Sequence, residues 1–465
     1  MNENEQSLQK ENKMGTMPVN RLLLSVSAPI MLSMLIQALY NVVDSIFVSQ
    51  ISENAFNAVS LAFPIQSLMI AVAVGTGVGV NAFLSRSLGQ KNYDKVNLTA
   101  TNGIFLSLCG YAVFAVLGAF FSHIFFVVQT DVPEIVEGGT AYLRICTVFS
   151  VGLFAQIIME RLLQATGRSV WSMATQMLGA LLNMILDPIF IFVLDMGVAG
   201  AAVATVVGQI AGMLFGIFLN LKKNPDITIS FKGFRPNGAI IRSIYSVGIP
   251  SIVMQSINAV VIFGLNQILI TFTTTATAVL GAYFKLQSFV FMPVFGLNNG
   301  LVPIVAYNFG AKKPDRLVKA VKLGLLYSIL IMTLGFCVFL FLPGALLRIF
   351  DASPYMLEIG IPAMRILSLS FIPAGLGIIS SGMFQALGHG IMSLMESLIR
   401  QVLILLPAAW LLAKLGNVEL VWLSFPLASM VSVLVCIFLL IRIHNREVRP
   451  LFQEVEHGYS SDSEQ

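Results

Sequence analysis

The sequence predicts an all-α polytopic membrane protein, with twelve transmembrane helices in two pseudo-symmetric six-helix bundles, and three observations lead there. Of its 465 residues, 57% are hydrophobic and only 11% charged, with a mean hydropathy of +0.85, which is outside the range of ordinary soluble domains. The apolar residues gather into stretches of roughly 20 to 30, the length of a helix that crosses hydrocarbon, whereas a barrel strand needs only about 9 to 11. A constant shift of 221 positions (250 − 29 = 221) lays the first half of the chain over the second. Ser25 falls on Ser246, Pro29 on Pro250, Gly75 on Gly296, Gly89 on Gly310, Asp94 on Asp315, Pro133 on Pro354 and Glu137 on Glu358.

The elements follow in order. Residues 1–20 are a polar arm, and 21–220 an N-terminal lobe with apolar stretches at about 22 to 48, 56 to 84, 98 to 122, 140 to 164, 170 to 194 and 198 to 220. Residues 221–242 are a basic linker carrying Pro225 and Pro236. Residues 243–443 repeat the pattern at about 243 to 270, 276 to 306, 320 to 343, 359 to 385, 391 to 414 and 418 to 441. Residues 444–465 form a tail that turns polar and acidic and reads as disordered. An even number of spans per half makes the repeat parallel, the build of transporters whose substrate site lies between two bundles.

Orientation follows from the basic residues. Arg86, Lys91 and Lys95 follow the second span, Lys222, Lys223, Lys232, Arg235 and Arg242 lie in or beside the linker, and Lys312, Lys313, Arg316, Lys319 and Lys322 follow the eighth. All are on the side of both termini, which makes that side cytoplasmic. The opposite loops hold Glu53, Asp131, Glu134, Glu137, Asp195, Asp351 and Glu358, with Arg348 and Lys414 as exceptions. The net charge of +4 therefore reflects topology and gives no reason to expect nucleic acid. Cys109, Cys146, Cys337 and Cys436 are scattered within spans and read as small core residues. The polar first 20 residues and the long apolar stretch after them do not read as a cleavable signal.

Two turns recur. Ser87-Leu88-Gly89-Gln90-Lys91 to Asp94-Lys95 is answered by Asn308-Phe309-Gly310-Ala311-Lys312 to Asp315-Arg316, and Gln164-Ala165-Thr166-Gly167 by Gln385-Ala386-Leu387-Gly388. In the first pair, glycine is expected to end a helix in the left-handed conformation and aspartate to cap the next. With these motifs, residues 20 to 443 resemble the multidrug and toxic compound extrusion (MATE) family, in its DinF-like and MepA-like branch.

Ionisable side chains inside spans are functional candidates by default. Asp44 lies near the outer end of the first span and Asp187 at similar depth in the fifth. Asn183 precedes Asp187 by one helical turn, and Thr205 enters from the sixth span. These four can converge in the outer half of one lobe and offer the oxygens that a proton or Na⁺ site needs. The resemblance implies the same set, with Pro29, fifteen residues before Asp44, as a helix-bending residue. Glu160, beside Arg161 near the cytoplasmic end of the fourth span, either joins a substrate or cation site, as the resemblance implies for that position, or forms a local ion pair. In the second lobe, Leu265 and Ala408 stand where the aspartates would repeat (44 + 221, 187 + 221). The NorM-like pattern of a seventh-span Glu and a tenth-span Asp is also missing. Glu396 and Arg400 read as an i, i+4 helical ion pair, Arg144 and Arg365 as interface anchors, and Lys285 as an anchor or a gate.

Met31, Met34, Gln37, Tyr40, Phe63, Met69, Met177, Gln255, Asn258, Gln287, Phe291, Met292 and Phe295 are candidates for lining a chamber that suits varied cations. No phosphate-binding loop, metal-binding histidine pair or Ser-His-Asp set is present, and His123, His389, His444 and His457 lie near span ends or in the tail. The chain is accordingly not read as an enzyme, and no cofactor is expected beyond a coupling ion, H⁺ or Na⁺. The resemblance implies a secondary multidrug efflux antiporter in the bacterial cytoplasmic membrane. It would export cationic amphipathic compounds by rocking two lobes, and would work as a monomer among membrane lipids. A flippase for a lipid-linked precursor, an exporter of one narrow metabolite and a non-transporting sensor or channel are the alternatives.

Overall fold

The computed structural model describes residues 11–350 and 352–454. The first ten residues of the arm, Asp351 and residues 455–465 of the tail, His457 among them, lie outside them; residues 444–454, expected to be disordered, instead continue the last helix as far as Glu454. Among the described residues, ten helices are long and apolar enough to cross a membrane, and two further bent pairs each complete a span. In order they are α1 (Val19–Ile51), α2 (Glu53–Gly89), α3 (Tyr93–Val127), α4 (Pro133–Val148 with Val151–Ala165), α5 (Ser169–Val193) and α6 (Gly197–Lys223). The second lobe has α7 (Gly238–Leu269), α8 (Thr274–Gly310), α9 (Pro314–Phe341), α10 (Pro354–Ser368 with Phe371–Ala386), α11 (Gly390–Ala413) and α12 (Val418–Glu454).

Several helices exceed the apolar stretches that mark them. α2 and α8 each run 37 residues, about 55 Å against a hydrocarbon core of about 30 Å. The excess is polar and caps itself: the Ser52 hydroxyl accepts from the Ala55 amide at the start of α2, and Thr273 from Thr275 at the start of α8. α4 and α10 bend by 43° and 45° at breaks of two residues, which their continuous hydrophobicity did not announce. α5 turns π-helical over Ile189–Val193, directly after Pro188, and α11 over Ile399–Leu405. Large apolar side chains such as Phe120, Leu334 and Leu434 are exposed on the outside of the bundles, as lipid contact requires. The molecule is a multi-pass membrane protein.

The lobes meet along α1–α8, α2–α7 and α2–α8. One apolar core joins them: Leu22, Leu23, Val26, Leu84 and Leu88 pack with Ile240, Ile244, Leu297, Leu301 and Val305. All of these lie toward one face, here called the terminal face, because Lys313 pairs with Glu11 (2.5 Å) and Lys312 with Glu454 (2.7 Å) at the same turn. Toward the opposite face the cores are separate, one in each lobe. The bundles are therefore joined at the terminal face and part toward the other.

Glycines permit the junction. A Cβ on Gly89 would stand 2.0 Å from the Tyr307 carbonyl oxygen, and one on Gly310 2.1 Å from that of Arg86. These glycines were expected to end their helices in the left-handed conformation. The structure instead keeps them helical for close backbone approach, Gly89 buried and Gly310 half-buried, and Lys91 (φ 56°) and Lys312 (φ 53°) take the left-handed position. Nor does aspartate cap the next helix: Asn92 caps α3 through its side chain, while Asp94 and Asp315 sit in first turns. Gly167 (φ 78°) and Gly388 (φ 88°) of the other turn pair are left-handed. The linker packs on α3, where Asn97 and Asn102 accept from the Thr228 and Asn237 amides at 2.7 and 3.0 Å.

Candidate functional site

The site is assembled by α1, α5 and α6. Gly179 of α5 and Gly208 of α6 face each other so closely that a Cβ on Gly208 would lie 2.6 Å from the Gly179 carbonyl oxygen. That approach brings Asn183 to Thr205, to whose hydroxyl its amide donates at 3.1 Å. One turn on, Asp187 is fully buried, and Asn183 is nearly so. Asp44 reaches in from α1 until its carboxyl lies beside that of Asp187. The structure thus brings together Asp44, Asn183, Asp187 and Thr205.

What they lack is donors. Both oxygens of Asp187, Oδ1 of Asp44 and Oδ1 of Asn183 are buried without a hydrogen-bond partner. Two facing carboxyl groups repel unless a proton lies between them or a cation neutralises them, and four donor-free oxygens are an uncommon concentration in a protein interior. Among the described residues no group of three or more His, Cys, Asp or Glu is placed to hold a metal ion. A cation here would rely on amide and hydroxyl oxygens beside the two carboxyls.

Tyr40, expected only as chamber lining, lies beside this cluster, near Thr205 and the two aspartates. Sequence reasoning missed Gln66 and Tyr142 altogether and read Cys146 as core. The Gln66 amide donates to the Tyr142 hydroxyl at 3.1 Å and to the Cys146 sulfur at 3.7 Å, and both acceptors are close enough to Asp44 to feel its charge. The available signal was Gln66 itself, an amide within an apolar helix.

Glu160 stands apart. It is buried and accepts from the Gln156 amide at 2.9 Å, while Arg161 donates to Gln164, which in turn donates to Ser172. No Glu160–Arg161 ion pair forms, because the two side chains follow different partners. Gln156 lies beside Gly179, and Asp187 is eight residues farther along α5 (187 − 179 = 8), about 12 Å. In the second lobe, Glu396 pairs with Arg400 at 3.2 Å and also accepts from Ser432. Arg365 donates to the Leu340 carbonyl, and Lys285 lies over the Phe350 ring at 6.0 Å.

The candidate lining residues divide. Gln37, Met177, Gln255, Gln287 and Met292 are half-buried, and Asn258, Phe63 and Phe295 are exposed. The Asn299 amide reaches Met34 from across the lobes at 3.7 Å. Phe291 stacks edge-on against Phe371, and Met31 packs on the shared core against Gly296. Met69 is a correction: it is 3% exposed, enclosed by Ala73, Phe114, Leu153 and Phe154, and has no surface left for a chamber. α1 continues through Pro29 without a break.

Two bundles of six spans in parallel repeat, parted toward one face and holding a buried carboxyl pair in one lobe, define a multi-pass membrane transporter. The MatE family profile matches residues 29–189 and 250–411, stretches that start at Pro29 and at its repeat Pro250, and the chain belongs to that family. Multidrug export protein MepA of Staphylococcus haemolyticus (strain JCSC1435) is 27% identical over 429 residues, 92% of this chain and 94% of its own length. The MepA protein of Staphylococcus aureus (strain MRSA252) is 26% identical, covering 87% and 90%. Among solved structures, an outward-facing multidrug resistance MATE family transporter of the MOP superfamily superposes with a TM-score of 0.89 at 24% identity, over 96% of this chain and 99% of the other. A MOP superfamily transporter from Pyrococcus furiosus Vc1 superposes with a TM-score of 0.89 at 25% identity, over 95% and 99%; the reverse polarity of its binding pocket is said to suggest a different function.

Proposed function

We propose that this protein is a secondary active multidrug efflux antiporter of a bacterial plasma membrane, exporting cationic amphipathic compounds in exchange for protons. The observation that carries the reading is the facing pair Asp44 and Asp187, whose buried oxygens receive no donor from the protein. A proton shared by the pair turns one carboxyl into a donor for the other. Its loss leaves two like charges that favour a cation in the cleft, so that proton and substrate oppose each other. The lobes, joined at the terminal face and parted at the other, would rock to present the cleft to each side in turn. An exchange that moves one net charge across 100 mV gains about 2.3 kcal/mol, enough for a substrate gradient of about fiftyfold.

Export of varied drugs rests on relatives at 26 to 27% identity named multidrug export proteins. The basic residues Arg86, Lys91, Lys95, Lys312, Lys313 and Arg316 gather at the terminal face, and the positive-inside rule makes that face cytoplasmic. A single chain holds both lobes and would act as a monomer among lipids, with small molecules rather than nucleic acid as partners. The oxygens of Asp44, Asn183, Asp187 and Thr205 would also suit Na⁺, so the test separates the two ions. Ethidium efflux is followed in energised cells expressing the protein or its Asp44→Asn variant, with the proton and sodium gradients collapsed separately. Efflux lost with the proton gradient and in the variant is the expected result. Loss with sodium alone moves the same residues to a sodium site, and undiminished efflux in Asp44→Asn cells overturns the coupling role.

A further inference from the structure

The segment ahead of α1 crosses from one lobe to the other. In residues 11–18 the chain makes a single helical turn, Lys13–Thr16, capped by the Asn12 side chain on the Met14 amide at 3.0 Å. On the first-lobe side, the Asn12 amide donates to the Thr166 carbonyl (3.2 Å) and to Asp226 of the linker (3.3 Å), which Arg168 also grips at 3.0 Å. Lys13 and Met14 lie against Gly167. On the second-lobe side, Asn308 and Arg316 donate to the Met14 carbonyl at 3.2 and 3.0 Å, and Arg316 also to that of Met17 at 2.6 Å. Lys313 holds the Gly15 carbonyl (3.0 Å) and the Glu11 carboxylate (2.5 Å). Between these anchors Met14 is fully buried in the shared core, and Gly15 lies so close to Tyr307 that a Cβ would come within 2.9 Å of its ring.

A tether that served only to begin α1 would need none of these contacts. Here three backbone carbonyls of the segment are claimed by α8, α9 and the turn between them, while its Asn12 side chain is held by the first lobe and the linker. Movement of α8 and α9 away from the Gln-Ala-Thr-Gly turn would have to pull Met14 from its pocket and break one set of bonds. We infer that residues 11–18 form a strap that fastens the two lobes at the terminal face, and that it leaves its seat when the cleft opens there. This rests on the alternating-access reading above, and adds to it a named fastener outside the twelve spans.

The test measures lobe separation on the full chain in lipid nanodiscs, with its four native cysteines replaced by serine. Nitroxide labels are placed at Lys95→Cys and Lys319→Cys, exposed positions near the terminal-face ends of α3 and α9, and their distance distribution is read by double electron–electron resonance. The strap is loosened by Asn12→Ala with Met14→Asp, and more gently by Glu11→Gln or Lys313→Ala, changes at half-exposed sites that leave the buried core intact. Glu454→Gln, which breaks only the neighbouring pair with Lys312, is the control. The expected result is that the longer-distance population grows about tenfold in the strap variants and not in the control. If ethidium produces the longer separation in the parent protein and the strap variants leave its population unchanged, the strap is overturned while alternating access stands. If every sample, with or without ethidium, shows one separation, both are overturned.

Discussion

Asn183 donates to Thr205 from a nearly sealed position, so the hydroxyl is there to occupy a buried amide as well as to face the carboxyls. Thr205→Val keeps the shape and removes the acceptor, which leaves that amide unpaired at about 1–3 kcal/mol. The thermal midpoint of the purified protein and the rate of ethidium efflux should both fall, and Thr205→Ser should restore them. At the lobe junction, Gly310→Ala presses a methyl group onto the Arg86 carbonyl, and Gly89→Ala does the same at Tyr307. Overpacking of this kind costs about 1–3 kcal/mol, and the two variants should be destabilised alike in thermal unfolding. Asp44, Asp187 and Asn183 were legible in the sequence because charge within an apolar span is costly and an i, i+4 spacing fixes a shared face. Gln66 and Tyr142 were not, since a neutral polar residue becomes part of a site only through which helix it meets. Gly89 was misread for a related reason: the missing Cβ permits a left-handed turn and a close contact equally, and only the neighbour decides between them.

Among the elements, the seated strap should respond to pH through Glu11. The Lys313 ammonium, hydrogen-bonded to it, holds the Glu11 carboxyl below the ordinary glutamate range. The stabilising contribution of the ionised group is therefore complete above the unfolded value, about 4.3, and disappears as the pH falls through the lower folded value. Amide protection of residues 12–17 in hydrogen exchange should persist to pH values somewhat below 4.3 and then be lost, while Glu11→Gln should show reduced protection already at pH 7. The spans themselves were readable as apolar runs. Their true ends, and the bends in α4 and α10, were not: polar extensions beyond the bilayer add helix without adding hydropathy, and a bend at Phe149–Ser150 or Leu369–Ser370 leaves the apolar pattern intact.

For the whole molecule, rocking requires α1 and α8 to separate where Ser27 meets Gly300. Where a Cβ on Gly300 would stand, the Ser27 Cα lies 2.8 Å and its Cβ 3.0 Å away, closer than the usual disulfide spacing of about 3.5–4.5 Å between Cβ atoms, so the two helices must part slightly for the bond to form. In a background without the native cysteines, Ser27→Cys with Gly300→Cys should cross-link on oxidation and stop ethidium efflux, and a reductant should restore it. Undiminished efflux by the cross-linked protein would rule out lobe motion at this junction. The 221-residue shift and the number of spans were legible because duplication preserves hydropathy. Which face is joined was not, because that belongs to the conformation adopted and both lobes carry the same pattern.

The junction also records how such a chain could have begun. Gly89 abuts Tyr307, which is position 86 one repeat later (86 + 221 = 307), and Gly310, which is position 89 one repeat later, abuts Arg86. Gly75 abuts Ile252, and its counterpart Gly296 abuts Met31 (31 + 221 = 252). Each contact occurs twice with the roles exchanged, which is the mark of an isologous interface between two copies of one subunit. Fusion of an ancestral six-span homodimer yields this arrangement directly, and the acidic residues stand in one half alone, at Asp44 and Asp187, with Leu265 and Ala408 at the repeat positions. The present polypeptide is in that sense a dimer with one covalent link, in which symmetry survives where the halves touch and is absent where the two aspartates stand.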